Sequence, residues 1–227
     1  ETDDGLIDMS VAAPDLPNDL GEVIRANKLG KLKSAAKKAK KKAHIKKPSK
    51  LLPPIETPGK IICVGLNYLD HANESKYEKP DYPVLFLRVT TTLVGQNEPM
   101  IRPRCSEQYD YEGEMFAVIG KKAKHVPKSR ALDYVVGYSV FNDGSVRDYQ
   151  FKSPQWTSGK NFDASGAFGP AFVTADEVPK GGRGLMLQTR LNGEVVQEAN
   201  TRDLIFPVEE LVAVASEVMT LEPGDII

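Results

Sequence analysis

Length, composition and charge limit the kind of protein that this sequence can form. The chain has 227 residues, of which 41% are hydrophobic, and a formal net charge of −1. A chain of this length can bury a large core, either as one domain or as a main domain with an appendage. No apolar run approaches the ~18 to 20 residues of a membrane span, and the first residues, ETDDGLID, are unlike a signal peptide. We therefore expect a globular protein that does not associate with membranes.

The two cysteines, Cys63 and Cys105, carry information about the compartment. They stand in no metal-binding spacing and in no multi-cysteine framework, a pattern that favours a reducing environment. We expect a cytoplasmic location.

Lysine dominates the N-terminal part of the chain, where the sequence NDLGE predicts the start of a helical region. The range from Lys28 to Lys50 holds eleven lysines and no acidic residue, which leaves 19 basic and 31 acidic residues elsewhere. Apolar residues recur in it at spacings of three and four, which predicts a narrow apolar stripe on a helix. The stripe consists of Leu29, Leu32, Ala36, Ala39 and Ala43. We interpret the run as a docked, solvated helix; a polyanion-binding site, with nucleic acid an unlikely partner, and a disordered segment are the alternatives.

A proline-rich stretch follows the lysines and divides the chain. The sequence KKPSKLLPPIETPGK contains Pro48, Pro53, Pro54 and Pro58, which oppose regular structure. We expect a small N-terminal domain with the lysine-rich helix over residues 1–52, a proline-rich linker over 53–59 and a main domain over 60–227.

The main domain reads as mostly β structure. Short runs rich in β-branched and aromatic residues predict strands, namely KIICVG, PVLFLRV, MFAVIG, YVVGYSVF, AFVTA and LMLQTRLNGEVVQ. Asn192-Gly193 in the last run predicts a hairpin with a two-residue type I′ turn. A helical turn near YLDHANES and a helix from Pro207 are the clearest helical patterns. The fold class is therefore α+β with mostly β structure, without alternating βαβ units.

Two glutamates at the start of one predicted strand are the first candidate site. Glu112 and Glu114 in DYEGEMFAVIG are two residues apart, so their side chains point to the same face of a strand. Like charges side by side repel unless a cation lies between them. A metal ion, a lysine or arginine partner, or a solvated strand end would each satisfy the pair.

Further polar residues follow in the next two segments. Asp143 ends the apolar run of YSVFNDGSVRDYQ, and a third carboxylate suits an octahedral Mg²⁺ or Mn²⁺ ion, with Ca²⁺ as another possible occupant. Arg147 and Gln150 in that segment, and Lys160 in QWTSGKNFD, could bind an anionic keto acid. Solvated acids at strand ends are the alternative.

His71 and Glu74 form a different kind of pair. They are three residues apart in CVGLNYLDHANES, so on a helical turn they share a face, and the carboxylate could orient the imidazole as a general base. A surface His-Glu pair at a helix start is the alternative.

Taken together, seven segments resemble the fumarylacetoacetate hydrolase family, in particular its group of acylpyruvases, fumarylpyruvate hydrolases and oxaloacetate decarboxylases. They appear in the family's order between residues 60 and 227: KIICVGLNYLDHANES, PVLFLR, DYEGEMFAVIGK, GYSVFNDGSVRDYQ, QWTSGKNFD, GAFGP and PGDII. The resemblance implies a mixed β-sandwich roll, a homodimer, a small N-terminal extension and a small-molecule keto acid as substrate.

The resemblance also implies a role for each candidate residue. Glu112, Glu114 and Asp143 match the ligands of a divalent metal. Lys160 matches the family's active-site lysine, and His71 with Glu74 matches its water-activating pair. Arg147 and Gln150 match positions near the metal and the substrate.

Three functions follow from these roles. The first is a metal-dependent hydrolase that cleaves a carbon-carbon bond in an acylpyruvate-type β-diketo acid, with Lys160 stabilising an enolate. The alternative on the same site is an oxaloacetate decarboxylase or a keto-enol tautomerase or isomerase, which needs no attacking water. A distant alternative is a non-catalytic polyanion-binding protein.

The sequence departs from the family pattern at several points. Gly144 and Val146 replace the residues that relatives often have there, which we expect to alter the pocket wall. Ala164 stands where relatives often have a threonine, so we expect one polar contact to be absent. The sequence also stops before the family's Thr-Gly-Thr-Pro loop, which ordinarily helps to bind the substrate carboxylate. We therefore expect either that the C-terminal part of the catalytic domain is missing from this sequence or that the protein lacks the loop, in which case we expect no activity.

Overall fold

The computed structural model describes residues 5–45, 48, 50–68 and 80–227. Its N-terminal part holds one short antiparallel strand pair and three helices. Strand β1 (Leu6–Ile7) pairs with β2 (His44–Ile45). The helices are α1 (Met9–Ala12), α2 (Leu20–Arg25) and α3 (Leu29–Lys37). None of the helices in these ranges is long and apolar enough to cross a membrane.

Helix α3 is shorter than the lysine run predicted. It ends at Lys37, so Ala39 and Ala43 of the apolar stripe lie outside it, and Lys41–Ala43 form a 3-10 turn. The carbonyl of Ala43 accepts a hydrogen bond from Asp8 N at 2.7 Å where the chain enters β2. Pairing between distant segments therefore ends the helical conformation, and spacing within the run could not reveal it.

Tertiary contacts join this N-terminal part to the rest of the chain. Ile24 of α2 is buried in a cluster with Ile55 and Ile61, and Leu29 of α3 packs against the same cluster. Lys33 reaches the carboxylate of Asp176, with 2.9 Å between Nζ and Oδ2. Helix α3 is thus docked. The proline-rich segment has the expected lack of helix or strand, yet it is packed rather than free, since Ile55 is fully buried. The division at residues 52 and 60 stays a prediction.

A five-stranded sheet forms the centre of the main part. Strands β7 (Gly113–Ile119) and β8 (Val135–Asp143) make its longest antiparallel pair. On its other edge, β8 pairs antiparallel with β10 (Gly166–Phe168) and with β11 (Val173–Thr174). Strand β10 in turn pairs parallel with β5 (Leu93–Val94).

The two ends of the main part meet beside this sheet. Strand β3 (Ile61–Gly65) pairs antiparallel with β4 (Val84–Arg88). The last described residues lie between β3 and β7: Ile62 N donates to Ile226 O at 2.9 Å, and Ala117 N donates to Ile227 O at 2.8 Å. Segments about 165 residues apart in sequence are therefore joined by backbone hydrogen bonds.

The remaining elements in the described residues are two strand pairs and three helices. Strand β6 (Tyr109–Asp110) pairs antiparallel with β9 (Ser145–Val146). Strands β12 (Met186–Leu191) and β13 (Glu194–Asn200) form a separate hairpin. The helices are α4 (Arg147–Gln150), α5 (Thr157–Lys160) and α6 (Val208–Val218). Asn192 and Gly193 have φ angles of 52° and 93°, as the predicted type I′ turn requires.

Both faces of β7 are buried, which explains its nearly continuous apolar sequence. Ala117 and Ile119 belong to a cluster that includes the buried face of α6. Phe116 and Val118 point to the opposite cluster, where the Phe116 and Phe141 rings stack with centroids 4.3 Å apart. The strand-rich α+β class and the predicted strands are confirmed. Both cysteines are free thiols; Cys63 is buried and Cys105 is exposed.

Candidate active site

A cavity of about 510 Å³ lies at the end of β3 and at the start of β7. Its lining also includes residues of β4, β6, the two short helices α4 and α5, and the β12–β13 hairpin. The cavity is lined by most of the candidate site residues that the structure describes, namely Glu112, Glu114, Arg147, Gln150 and Lys160.

The start of β7 and the end of β8 bring three carboxylates together. Glu112 precedes β7 and Glu114 is its second residue, and both line the cavity as their spacing predicted. Asp143 is the last residue of β8, and its N–H donates to the carbonyl of Glu112 at 2.8 Å. This backbone hydrogen bond fixes the carboxylates of the two strands beside each other.

Lys160 lies between two of these carboxylates. It ends α5 and is only 1% exposed. Its Nζ lies 2.8 Å from Oε2 of Glu112 and 2.9 Å from Oδ2 of Asp143. The ammonium also lies 5.1 Å from the centroid of the Phe86 ring, within the range of a cation-π contact. The structure therefore places a buried positive charge at the centre of the cluster.

Arg147 at the start of α4 supports Glu112 from another side. Its Nη1 lies 2.5 Å from Oε1 of Glu112 and donates to Oε1 of Gln150 at 2.9 Å. Its Nε and Nη2 both donate to Oδ2 of Asp110, at 2.9 and 2.7 Å. Burial alone would raise the pKa of Glu112, but Lys160 and Arg147 outweigh it and hold that pKa below its ordinary value.

Arg88 is a site residue that the sequence reasoning missed. It is the last residue of β4 and is 3% exposed. Its guanidinium forms an ion pair with Asp143, donates to Ser165 Oγ at 2.7 Å, and donates to Gly144 O at 3.1 Å. A charged residue that ends an apolar strand was the available signal, although surface exposure is the commoner reason for it.

Glu114 has a different environment from the other two carboxylates. No described residue gives its side chain a hydrogen bond or an ion pair. Burial raises its pKa well above the ordinary value, and repulsion by Glu112 and Asp143 raises it further, while Lys160 acts in the opposite direction. Asp110 is a fourth carboxylate here, so four carboxylates face the three cations Arg88, Arg147 and Lys160. With Glu114 ionised, negative charge would exceed positive charge in this cluster, and the raised pKa of Glu114 reflects that repulsion as well as burial.

The carboxylates fit a divalent cation in ligand type and in charge. Oxygen ligands are those that Mg²⁺ and Mn²⁺ prefer, and an added cation would offset the excess negative charge. Among the described residues, no three His, Cys, Asp or Glu side chains are arranged so that they could hold a metal ion as they stand. Two of the three carboxylates instead hold the Lys160 ammonium.

Aromatic side chains make another wall of the cavity. Trp156 immediately precedes α5, and its ring lies against the backbone of Gly65, where a Cβ atom would overlap the ring. Phe86 meets Trp156 edge-on, with ring centroids 5.6 Å apart. Apolar surface therefore lies beside the Lys160 ammonium and limits the water around it.

The β12–β13 hairpin, which is a separate two-stranded sheet, forms another wall of the cavity. Gln197 Oε1 accepts a hydrogen bond from Gly113 N at 2.7 Å and from Thr189 Oγ1 at 2.9 Å. A Cβ atom at Gly113 would overlap Thr189 Oγ1. The glycine between the two glutamates thus allows the hairpin to approach, a role that sequence reasoning did not assign.

Other sequence-based candidates lie elsewhere. His71 and Glu74 fall outside the described residues, so their pairing stays a prediction. Gly144, Val146 and Ala164 are absent from the described lining of the cavity, which does not support the change of the pocket wall expected from the first two. A Cβ at Gly144 would overlap the carbonyl oxygen of Ser165, so close packing accounts for this glycine.

Sequence comparisons identify relatives of the chain. Residues 60–227 match the family model described as fumarylacetoacetate (FAA) hydrolase, C-terminal. The chain is 39% identical over 232 residues to the mitochondrial oxaloacetate tautomerase fahd2 of Xenopus laevis, an alignment that covers 100% of this chain and 72% of that protein.

Solved structures give a consistent result. A putative HpcE protein from Mycobacterium smegmatis superposes with a TM-score of 0.89 at 33% identity, covering 100% of this chain and 81% of that one. The 5-carboxymethyl-2-hydroxymuconate delta-isomerase from the same organism gives a TM-score of 0.69 at 38% identity, covering 78% and 66%. The matched family model and these similarities show that the chain belongs to the fumarylacetoacetate hydrolase family of enzymes.

Proposed function

We propose that the chain interconverts the keto and enol forms of a dicarboxylic 2-oxo acid of the oxaloacetate type. The observation that carries this proposal is the buried Lys160 ammonium between Glu112 and Asp143 at the wall of a cavity. Two of the similar proteins bear the names of a tautomerase and an isomerase. These names favour the alternative reading of the sequence over the carbon-carbon hydrolase that we put first.

The reaction moves one proton between carbon 3 and the oxygen on carbon 2, so that oxygen carries negative charge as the proton leaves. Lys160 is suited to stabilise this charge, because a fixed ammonium in a water-poor site interacts strongly with an oxyanion. Its two carboxylate partners hold the ammonium in position. No covalent change of the lysine is required.

Enzymes of this family generally depend on a divalent metal. We propose Glu112, Glu114 and Asp143 as the residues that would hold Mg²⁺ or Mn²⁺. Bound there, the ion would supply Lewis acidity towards the oxo group of the substrate. Arg88, which is not part of the cavity lining, and Arg147, which is, would orient Asp143 and Glu112 through their ion pairs.

The polar residues expected to bind substrate have a second role in this structure. Arg147 is already paired with Asp110 and Glu112, and Gln150 accepts one of its hydrogen bonds. We therefore propose that this arginine orients Glu112, and that contact with a substrate carboxylate requires it to give up part of its pairing with Asp110. Trp156 and Phe86 exclude water, which suits a reaction that consumes none.

The hydrolase differs from the tautomerase in its need for an activated water. That role was assigned to His71 and Glu74, which the structure does not describe. Decarboxylation of oxaloacetate would proceed through the same enolate, so it remains part of the alternative reading. The homodimer, the cytoplasmic location and the polyanion-binding role stay predictions from the sequence.

The test follows three substrates with one metal-depleted preparation. The enol form of oxaloacetate is monitored by its ultraviolet absorbance, carbon dioxide release reports decarboxylation, and acetate release from acetylpyruvate reports hydrolysis. We expect added Mg²⁺ or Mn²⁺ to restore enol loss by at least about 10²-fold, the scale of electrostatic stabilisation of an oxyanion. Release of acetate without any effect on the oxaloacetate enol would instead support the hydrolase.

A matched control variant distinguishes the loss of the Lys160 ammonium from the general effect of replacing a lysine. Lys124 is an exposed lysine whose ammonium donates to the carbonyl of Glu217, far from the cavity lining. Lys124→Met should retain the activity, whereas Lys160→Met should lose it. Equal activity of the two variants would contradict the proposal.

A further inference from the structure

Gln197 on the hairpin is a cavity residue whose side-chain orientation is fixed by two hydrogen-bond partners. Its side-chain oxygen accepts one hydrogen bond from the backbone N–H of Gly113 and one from the hydroxyl of Thr189. The Gly113 N–H can only donate, so the amide oxygen and not the amide nitrogen must face it. The hydrogen-bond network therefore settles the orientation of the carboxamide.

The Nε2 group of Gln197 is left as a double donor. No described residue accepts a hydrogen bond from it, and Gln197 lines the cavity. Because Gly113 lies between Glu112 and Glu114, this donor is held next to the carboxylate cluster by a different element of the fold. The amide is uncharged, so it needs no carboxylate as a counter-ion, whereas the neighbouring cations each have one.

Unlike the Gln197 amide, the cations of the cluster already have carboxylate partners. Lys160 contacts Glu112 and Asp143, Arg88 contacts Asp143, and Arg147 contacts Asp110 and Glu112. A substrate with two carboxylates would bring more negative charge into a site whose described cations are already paired with carboxylates. A fixed amide donor can bind a carboxylate oxygen without exchanging an existing ion pair.

We infer that Gln197 is a specificity-determining residue, whose Nε2 group binds the second carboxylate of a dicarboxylic 2-oxo acid. This inference rests on the proposed function and adds to it a residue that selects the substrate. Thr189 acts as a positioning residue, since its hydroxyl donates to the oxygen of the Gln197 amide.

The test replaces the donor and leaves the acceptor in place. Gln197→Glu keeps an oxygen for Gly113 and Thr189 but puts a negatively charged oxygen where the amide nitrogen was. Two acids are compared: oxaloacetate, which has a second carboxylate, and 2-oxobutyrate, which lacks it. Exchange of the carbon 3 hydrogens for deuterium is followed by NMR in D₂O, with the uncatalysed exchange subtracted, and KM and kcat are obtained for each acid.

We expect Gln197→Glu to raise KM for oxaloacetate by at least about tenfold, because like charges placed together are strongly repelled. The KM for 2-oxobutyrate should change by less than about threefold, because this acid has no second carboxylate for the new glutamate to repel. Glu194→Gln, on the exposed part of the same hairpin, is the matched control and should leave both values unchanged. A purely structural role would raise both KM values together, so equal changes for the two acids would overturn the inference.

The wild-type protein provides an independent measurement should the variant fail to fold. A wild-type KM lower for oxaloacetate than for 2-oxobutyrate supports the inference, and equal values overturn it. Wild-type protein that exchanges neither acid would overturn the proposed function together with this inference. Normal exchange of oxaloacetate that Gln197→Glu leaves unchanged would overturn this inference alone.

Discussion

Two walls of the same cavity are built in contrasting ways. The ionic wall consists of the charged side chains of Glu112, Arg147 and Lys160, together with the buried Arg88–Asp143 ion pair behind them. The hairpin wall is the β12–β13 hairpin, in which Met186 is 60% exposed and Leu191 55% exposed. Lys160 and Arg88 are buried, at 1% and 3% exposure. One wall is part of the core, and the other is attached to it through Gly113 and Gln197.

This difference separates the chemistry of the site from its choice of substrate. The ionic wall fixes charges in a medium that screens them poorly, and this arrangement favours stabilisation of a developing enolate. The hairpin wall contributes the neutral polar side chains of Thr189 and Gln197 from a separate two-stranded sheet. Changes in the ionic wall should therefore affect kcat, and changes in the hairpin wall should affect KM and selectivity.

The largest effect is expected from Lys160→Met, which removes the central ammonium but keeps much of its volume. We expect kcat for oxaloacetate tautomerisation to fall by about 10²- to 10³-fold, the cost of losing one oxyanion-stabilising group. Steady-state kinetics on the folded variant provide the measurement. A change confined to KM would show that the ammonium binds substrate without contributing to the chemistry.

The next effect concerns stability. Arg88→Met leaves Asp143 without its guanidinium partner in a buried site, and breaking such a pair costs about 3 to 5 kcal/mol of the free energy of unfolding. Denaturant unfolding should show this loss. Arg130→Met is the matched control, because its ion pair with Asp133 is exposed. Losses of similar size in both variants would contradict a special role for the buried pair.

A smaller effect is expected from Gly65→Ala beside the ionic wall. The new methyl group would overlap the Trp156 ring, so the ring must move and Lys160, one turn later on the chain, would lose its apolar cover. We expect a loss of about 1 to 3 kcal/mol of stability, as for other overpacked sites, and a lower kcat. Tryptophan fluorescence should report the displacement, since this chain has a single tryptophan. An unchanged spectrum and an unchanged kcat would argue against Trp156 as a wall of the site.

The smallest effect is expected where the two walls meet. Gly113→Ala would place a methyl group against Thr189 Oγ1 and push the hairpin away from the sheet. KM for oxaloacetate should rise by a few-fold while kcat changes little, because the loss is about one hydrogen bond, near 1 kcal/mol. Kinetics of a double-mutant cycle with Thr189→Ala provide the check. The second substitution should restore part of the lost affinity, and additive losses would show that the two residues do not meet as described.

The ionic wall could be predicted only in part from the sequence. Glu112 and Glu114 share a face because of the two-residue period of a strand, and Asp143 ends an apolar run that reads clearly as a strand. The pairing of Asp143 with Arg88 could not be found in this way, since the two residues are 55 positions apart. Burial of an arginine depends on the packing of the whole sheet, which local sequence does not encode.

The hairpin wall shows a different limit of the sequence. Asn192 and Gly193 predict the turn because few residues other than glycine and asparagine adopt positive φ angles readily. The contact of Gln197 with Gly113 spans 84 positions and has no local signal. The helix predicted for the lysine run was too long for a related reason. Contacts between the end of the run and the first strand end the helix before the predicted residue.

The most direct test of the proposed site is the tautomerisation rate of Glu114→Gln with saturating Mg²⁺ or Mn²⁺. This substitution keeps the shape of the side chain and breaks no hydrogen bond or ion pair to a described residue, yet it removes one carboxylate from the proposed ligand set. The account predicts a loss of at least about 10²-fold in the rate of oxaloacetate enol conversion, as when one electrostatic contribution to oxyanion stabilisation is removed. A rate equal to that of the wild type would contradict the assignment of this carboxylate cluster as the active site.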